Sequence, residues 1–244
     1  MSEPFLSFFQ AIFSVLAQAA TISGIVWISA TLIIYALALV LYRLSNYVPI
    51  AHPLVITATA LGAILFLTDT SITRYQQSAS LIHWLLGPAT VALALPMYAQ
   101  WQRIRHHGWR LIAGIASGGI IAPLVAWAIV YGADAPLALQ MTMLVKSITT
   151  PLAMDAGAKI GGIPALAAVF VITTGIVGAI VSSLVFSLFR VTDEKAQGLA
   201  LGTVAHAVGT AKAIQMSEQT GAMATLGLCL NGIMTAIVVP LIFG

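Results

Sequence analysis

Charged side chains are scarce in this chain of 244 residues. Only 7% of its residues are Asp, Glu, Lys or Arg, whereas 60% are hydrophobic. A soluble domain is about 25% charged, so a water-soluble globule of this size could not cover its surface. The scarcity of charge therefore excludes a soluble enzyme, a secreted domain and a disordered chain, and it predicts a polytopic membrane protein.

Cysteine and aromatic residues are also few. The single cysteine, Cys229, excludes a disulfide framework and a cysteine-bound metal cluster. Aromatic residues make up 8% and lie among long apolar runs, which favours an all-α fold over the short alternating strands of a barrel. Phosphate-binding loops and the common hydrolase motifs are missing from the sequence, so we expect no enzymatic activity, no cofactor and no metal site. The net charge of +3 is too small to indicate nucleic-acid binding.

Apolar runs close to the ~20 residues needed to cross a bilayer predict seven to nine membrane segments. Several of them contain proline, glycine or charged residues, and we expect those segments to be broken or re-entrant. The runs cover residues 5–20, 23–42, 53–67, 81–101, 109–131, 137–160, 163–189, 196–216 and 220–243. Residues 1–24 are expected to form an N-terminal apolar helix or extension, which either spans the membrane or lies at its interface.

Lysine and arginine concentrate in three loops, at Arg43, between residues 103 and 110, and between residues 190 and 195. Cytoplasmic loops of membrane proteins carry an excess of these residues. All three loops can face the cytoplasm if the run 137–160 enters and leaves the membrane by its outer face, or if it is otherwise broken.

The first polar interruption follows Lys146. The dipeptide Thr150-Pro151 predicts a helix boundary, because the residue before proline is pushed away from helical geometry. Ser147, Thr149 and Thr150 are suitable caps for a new helix that has Pro151 at its first position. The free N–H groups at such a helix start favour an anion, and Lys146 adds a full positive charge. The alternative is an ordinary loop at the water interface.

The second interruption contains Thr203, His206, Thr210 and Lys212 within an otherwise apolar run. Ionisable groups at membrane depth are costly and usually face a cavity or a partner. The spacing puts Thr203, His206 and Thr210 on one helical face. If the helix instead unwinds at Gly209, Thr210 would cap a second half-helix. A hydrogen-bonded core histidine is the alternative to a functional one.

Two weaker signals remain. An amide in an apolar helix usually hydrogen-bonds a neighbouring helix, and this is the favoured role of Asn231, with a binding role as the alternative. Residues 86–100, which contain Gly87, Pro88 and Pro96, align loosely with residues 201–215. The hypothesis is a pair of inverted repeats, each with one broken helix, as in many transporters.

Several longer motifs closely resemble the LrgB/CidB family of membrane proteins. They are Lys146-Ser-Ile-Thr-Thr-Pro-Leu-Ala-Met154, Ile160-Gly-Gly-Ile-Pro-Ala165, Gly198-Leu-Ala-Leu-Gly-Thr-Val-Ala-His-Ala-Val-Gly-Thr-Ala-Lys-Ala213 and Asn231-Gly232. The resemblance begins near residue 25, so residues 25–244 are identified as an LrgB-like membrane transport domain.

The resemblance implies two different functions. Members of this family are named as antiholin-like or holin-like proteins and are tied to the control of murein hydrolase activity and cell lysis. Plastid relatives resemble transporters of glycolate and glycerate, and bacterial relatives are linked to pyruvate uptake. The resemblance also implies a multi-pass protein of the bacterial cytoplasmic (inner) membrane, which works with a smaller LrgA/CidA-like subunit in a homo- or hetero-oligomer.

We expect a secondary transporter of small monocarboxylates such as glycolate, glycerate, lactate or pyruvate. The alternative is a holin-like or antiholin-like protein, which needs association faces but no polar site at membrane depth. Lys146 and Lys212 would supply charge for the carboxylate, and His206 is the candidate proton carrier. Na⁺ is the alternative coupling ion. Hydroxyl groups and one amide would complete the binding site: Ser147, Thr149, Thr150, Thr203, Thr210 and Asn231.

Overall fold

The computed structural model describes residues 3–48, 51–92, 95, 98 and 101–244, and every regular element among them is helical. The prediction of an all-α fold is thereby confirmed. The helices are α1 (Glu3–Ala19), α2 (Ile22–Leu44), α3 (Pro53–Leu67), α4 (Ile72–Ser78), α5 (Ser80–Trp84), α6 (Leu86–Ala92), α7 (Trp101–Gly132), α8 (Leu137–Met143), α9 (Thr150–Lys159), α10 (Pro164–Leu188), α11 (Glu194–Met216) and α12 (Glu218–Phe243).

Four of these helices are long and apolar enough to cross a membrane, namely α2, the part of α7 after residue 107, α10 and α12. They match the predicted runs 23–42, 109–131, 163–189 and 220–243. The pair α3 and α4 would make a fifth span, but it is bent by 115°. These helices make the chain a multi-pass membrane protein. The total of seven to nine segments stays a prediction, since the run 81–101 lies partly outside the described residues.

The chain divides into two compact units, and the first is Met1–Ala89. Polar contacts there fasten α4 to α2, because the hydroxyl groups of Ser23 and Ser78 lie 2.8 Å apart and those of Thr31 and Tyr75 lie 3.0 Å apart. The predicted boundary at residue 24 falls in the first turn of α2 and stays a prediction.

The second unit, Thr90–Gly244, holds the polar interruptions. Its helix α7 is broken at Gly108, where φ is 50° and ψ is −134°. Its helices α11 and α12 pack backbone against backbone, since a Cβ atom at Gly202 would overlap the carbonyl group of Ala224. The glycine-rich sequence of α11 makes this close approach possible.

Helix α11 reverses direction at His206, which has a φ of 38° and a ψ of −126°. A straight helix of its 23 residues would be about 35 Å long. Instead, the Ser217 hydroxyl group at its end donates to Glu194 Oε2 at its start, over 3.0 Å. Residues 194–217 therefore form a re-entrant hairpin, which we call the second hairpin, with a leading arm and a returning arm that meet at the His206 tip.

Residues 137–163 form a similar structure, the first hairpin. The Ile163 N–H donates to Thr142 Oγ1 over 2.8 Å, whereas a straight helix between these residues would be about 30 Å long. The chain leaves α8, turns through residues 144–149 and returns as α9. The two ends of the run 137–160 therefore lie on the same side, which is one of the two arrangements that the predicted orientation of the basic loops allows.

The two hairpins enter from opposite ends of α10. The first hairpin directly precedes the Pro164 end of α10, and the second follows its Leu188 end. With 25 residues, α10 is about 37 Å long, which exceeds the ~30 Å hydrocarbon core of a bilayer. The hairpin tips are thus placed to meet within the membrane.

Candidate functional site

The two hairpin tips are joined through Asn231, which lies midway along α12. Its side chain is 1% exposed, and its Nδ2 donates to the carbonyl oxygens of Ser147 and Thr203, at 2.9 Å each. Gly119 of α7 leaves the space for this amide, since a Cβ atom there would overlap Asn231 Oδ1. The favoured prediction for Asn231, a hydrogen bond to a neighbouring segment, is confirmed.

The tip of the first hairpin presents the start of α9. Of the three predicted caps, Thr149 is the one observed. The helix begins at Thr150, one residue earlier than predicted, so Pro151 is its second residue and not its first. The Thr149 hydroxyl group makes no capping bond, however, and its side chain is 9% exposed with an oxygen that has no hydrogen-bond partner. Because the first amides of a helix have no acceptor within it, this tip offers unused donors and a partial positive charge.

Lys146 and Thr150 flank the cap on the same tip, and both are half-buried. The Lys146 ammonium group donates to the Ser147 hydroxyl group at 3.3 Å, and no described carboxylate pairs with it. The Lys146 ammonium group, which has no counter-charge among the described residues, therefore lies beside the positive N-terminal end of α9.

The tip of the second hairpin is built on His206, which is 2% exposed. Its Nε2 lies 2.7 Å from the carbonyl oxygen of Val171 on α10. Because a carbonyl group only accepts, Nε2 carries a hydrogen in this contact. Gly175 makes room for the ring, since a Cβ atom there would lie 2.7 Å from His206 Cε1. The sequence indicated neither Val171 nor Gly175, although a glycine within an apolar helix is a signal of close packing.

Thr203 and Thr210 sit on either side of this tip. Thr203 is 2% exposed, and its hydroxyl group has no hydrogen-bond partner where it faces Gly227 of α12. Thr210 donates to the carbonyl oxygen of His206 over 2.8 Å. The helix therefore breaks at His206 and not at Gly209, and the alternative in which Thr210 caps a second half-helix is wrong.

Lys212 lies apart from the tips, on the returning arm of the second hairpin. Its ammonium group donates to three oxygens of α10: the Ala179 carbonyl at 2.6 Å, Ser182 Oγ at 2.9 Å and Ser183 Oγ at 2.7 Å. An ammonium group has three N–H donors, so the protein itself uses all of them.

The structure links the two hairpin tips through Asn231. We call the predicted site residues on these tips, together with Asn231, the tip cluster: Lys146, Ser147, Thr149, Thr150, Thr203, His206 and Asn231. Thr210 is one helical turn behind it, and Lys212 is bound to α10. The cluster combines one ammonium group, a helix start and hydroxyl groups, which suit a small anion. Among the described residues, no group of three His, Cys, Asp or Glu side chains could hold a metal ion.

Comparison with known proteins gives a consistent result. The profile of the LrgB-like family matches residues 31–244. The YwbG protein of Bacillus subtilis is 33% identical over 89% of this chain and 96% of its own length. The antiholin-like proteins LrgB of Bacillus mycoides and Bacillus cereus are each 32% identical over 92% of this chain and 97% of theirs. No solved structure matches the chain.

Proposed function

The chain belongs to the LrgB-like family, and from the geometry of its tip cluster we propose that it is a secondary transporter of small monocarboxylates. Glycolate, glycerate, lactate and pyruvate are the expected substrates. The observation that carries this proposal is the meeting of two oppositely inserted hairpins at Asn231. Many secondary transporters bind their substrate near the midplane, between interrupted helices whose ends face it.

The first hairpin supplies the contacts expected for a carboxylate. Lys146 would provide the charge, and the Thr149 hydroxyl group together with the first amides of α9 would donate hydrogen bonds. Charge-assisted hydrogen bonds of this kind are about twice as strong as neutral ones. The orphaned hydroxyl group of Thr149 supports this role, because a buried polar group without a partner lowers stability.

The remaining parts of the proposal concern coupling and location. His206 is the candidate proton carrier, because its ordinary pKa is close to physiological pH. A proton that moves with a monoanion makes the cycle electroneutral. We place the protein in the bacterial inner membrane beside an LrgA/CidA-like subunit, as a transporter and not an enzyme. The hypothesis of inverted repeats pairs residues 86–100 with residues 201–215 and stays a hypothesis, because several of residues 86–100 lie outside the described part of the chain.

The proposal is tested by uptake of radiolabelled glycolate and pyruvate into proteoliposomes, with and without the smaller subunit. Thr149→Val removes the orphaned hydroxyl group at nearly constant volume, so it should leave stability equal or higher while uptake falls at least about tenfold. Thr57→Val is the matched control, because the hydroxyl group of Thr57 is also buried without a partner, but in the first unit. Equal uptake by the Thr149 and Thr57 variants would contradict the proposal.

A second candidate function is antiholin-like control of lysis. The name antiholin-like, carried by relatives at 32% identity, favours it more directly than it favours transport. It is tested by measuring autolysis and murein hydrolase activity in cells that lack the protein and are complemented with the Lys146→Met variant. Lysis control that survives this substitution, together with dye release from liposomes that does not saturate, would favour this second function.

A further inference from the structure

The returning arm of the second hairpin, residues 207–216, is packed unequally on its two sides. Against the leading arm it packs backbone to backbone, since a Cβ atom at Gly209 would overlap the carbonyl group of Leu201. Against α10 an apolar contact is made near the tip, where Val208 Cγ2 lies 2.9 Å from the position of a Cβ atom on Gly175. Farther from the tip, Phe186 of α10 packs against the buried cluster of Leu201, Ala213 and Ala224, and polar contacts are added to this packing.

Lys212 makes those polar contacts. Its ammonium group reaches three oxygens within one turn of α10, and none of them is charged. Beside it on the arm, Ala213 is buried in the cluster with Leu201 and Ala224, whereas Ile214 is 62% exposed. Lys212 therefore supplies the hydrogen bonds that fasten the outer half of the arm to α10.

We infer that Lys212 is a positioning residue, which fastens the returning arm to α10 and does not contact the substrate. The inference concerns the same hairpin as the proposed function. Of its two tests, only the transport kinetics rests on that function. Its physical basis is the saturation of all three N–H donors by α10. Neutral acceptors in a membrane-embedded protein have no water to replace a lost ammonium group. Loss of the lysine should consequently free the arm to move away from α10.

A cysteine at position 208 can report when the returning arm separates from α10. It leaves the hydrogen bonds of Lys212 to α10 intact. Val208 is 7% exposed and faces α10, so Val208→Cys in a Cys229→Ser chain places a buried thiol there. Its reaction rate with N-ethylmaleimide in proteoliposomes measures how often the arm lifts. Lys212→Met should raise this rate about tenfold, which corresponds to ~1.4 kcal/mol. An unchanged rate would overturn the inference.

Two further variants make the reporter experiment decisive. Lys159→Met is the matched control, because Lys159 is an exposed lysine at the end of α9, and it should leave the labelling rate unchanged. Ser183→Ala removes a single exposed acceptor and is the milder test if Lys212→Met fails to fold, with an expected increase of about threefold. A higher labelling rate in the Lys159→Met variant would overturn the inference. If Lys212→Met does not fold, an unchanged labelling rate in the Ser183→Ala variant would also overturn it.

Transport kinetics supply the second readout. Lys212→Met should lower the maximal uptake rate at least about fivefold with KM within about twofold of the parent, and Lys212→Arg should restore the rate because it keeps the charge and the donors. A tenfold rise in KM at an unchanged maximal rate would place Lys212 at the substrate and overturn the inference. If no variant or parent transports carboxylates, the proposed function fails, and the labelling rates still decide the role of Lys212.

Discussion

Asn231 is the best place to test the architecture of the second unit. The substitution Asn231→Ala removes one side chain and thereby both hydrogen bonds between α12 and the hairpin tips. Hydrogen bonds between helices in membrane proteins contribute ~0.6 kcal/mol on average and at most ~1.7 kcal/mol. The loss of two therefore predicts a decrease of about 1–3 kcal/mol in the free energy of unfolding.

The carbonyl oxygens of Ser147 and Thr203 explain why the upper part of that range is expected. Both would remain buried without the Asn231 donor, and a group left unpaired in this way costs more than the bond it loses. Asn231→Asp should be at least as harmful as Asn231→Ala at neutral pH, because an ionised carboxylate has no N–H to donate and would face two carbonyl oxygens.

The assay is reversible unfolding of the purified protein in mixed detergent micelles, followed by circular dichroism. Thr235→Val is the matched control: Thr235 is buried on the same helix, and its hydroxyl group reaches Asn231 Oδ1 only weakly, over 3.4 Å. It should change the unfolding free energy by less than about 0.5 kcal/mol. If Asn231→Ala and Thr235→Val give the same small change, the two tips are not held together by the amide.

Two other substitutions test separate parts of the fold. Gly175→Ala should displace the His206 ring and lower carboxylate uptake, whereas Gly132→Ala, at a glycine with open space around it, should not. Burial lowers the pKa of His52, and its neutral Nδ1 accepts from the Leu54 N–H. Because the unfolded chain binds the proton more readily, the stability contributed by neutral His52 is present above pH ~6.5 and decreases as pH falls. His52→Asn, which caps without titrating, should reduce the difference in Tm between pH 5 and pH 7.5, and an unchanged difference would contradict this assignment.

Local rules account for the first hairpin. The sequence predicted a helix start at Thr150-Pro151, and α9 begins at Thr150 with Thr149 as its cap. Proline acts on the residue directly before it, so this boundary depends on neighbours in the sequence alone. The direction in which α9 runs after the boundary depends on Thr142 and Ile163, which lie far apart in the chain, and no local rule predicts that contact.

The second hairpin shows where local rules fail. Sequence reasoning allowed a break at Gly209, because glycine adopts left-handed conformations at little cost. The structure places the positive φ at His206, a residue for which that conformation is strained. The contact between His206 and the Val171 carbonyl group holds the ring in place. Gly209 serves instead to let the returning arm approach Leu201.

Lys212 illustrates the same limit for a side chain. The sequence predicted that its ammonium group would supply charge for the carboxylate. Its partners are Ala179, Ser182 and Ser183, which belong to another helix, and no local pattern paired them with Lys212. Composition reveals that a charged group at membrane depth needs partners, but only the fold decides which segment supplies them.

The role of Asn231 follows from the hairpins themselves. A helix that reverses inside a membrane leaves backbone carbonyl groups at its tip without intrahelical donors and far from water. Two hairpins that meet tip to tip double that requirement, and the amide of Asn231 supplies two N–H donors from one side chain, one to Ser147 and one to Thr203. The sequence offered a structural bond and a role in the site as alternatives for this residue. The structure shows the structural bond, which satisfies both tips at once, and the role in a binding site stays a prediction.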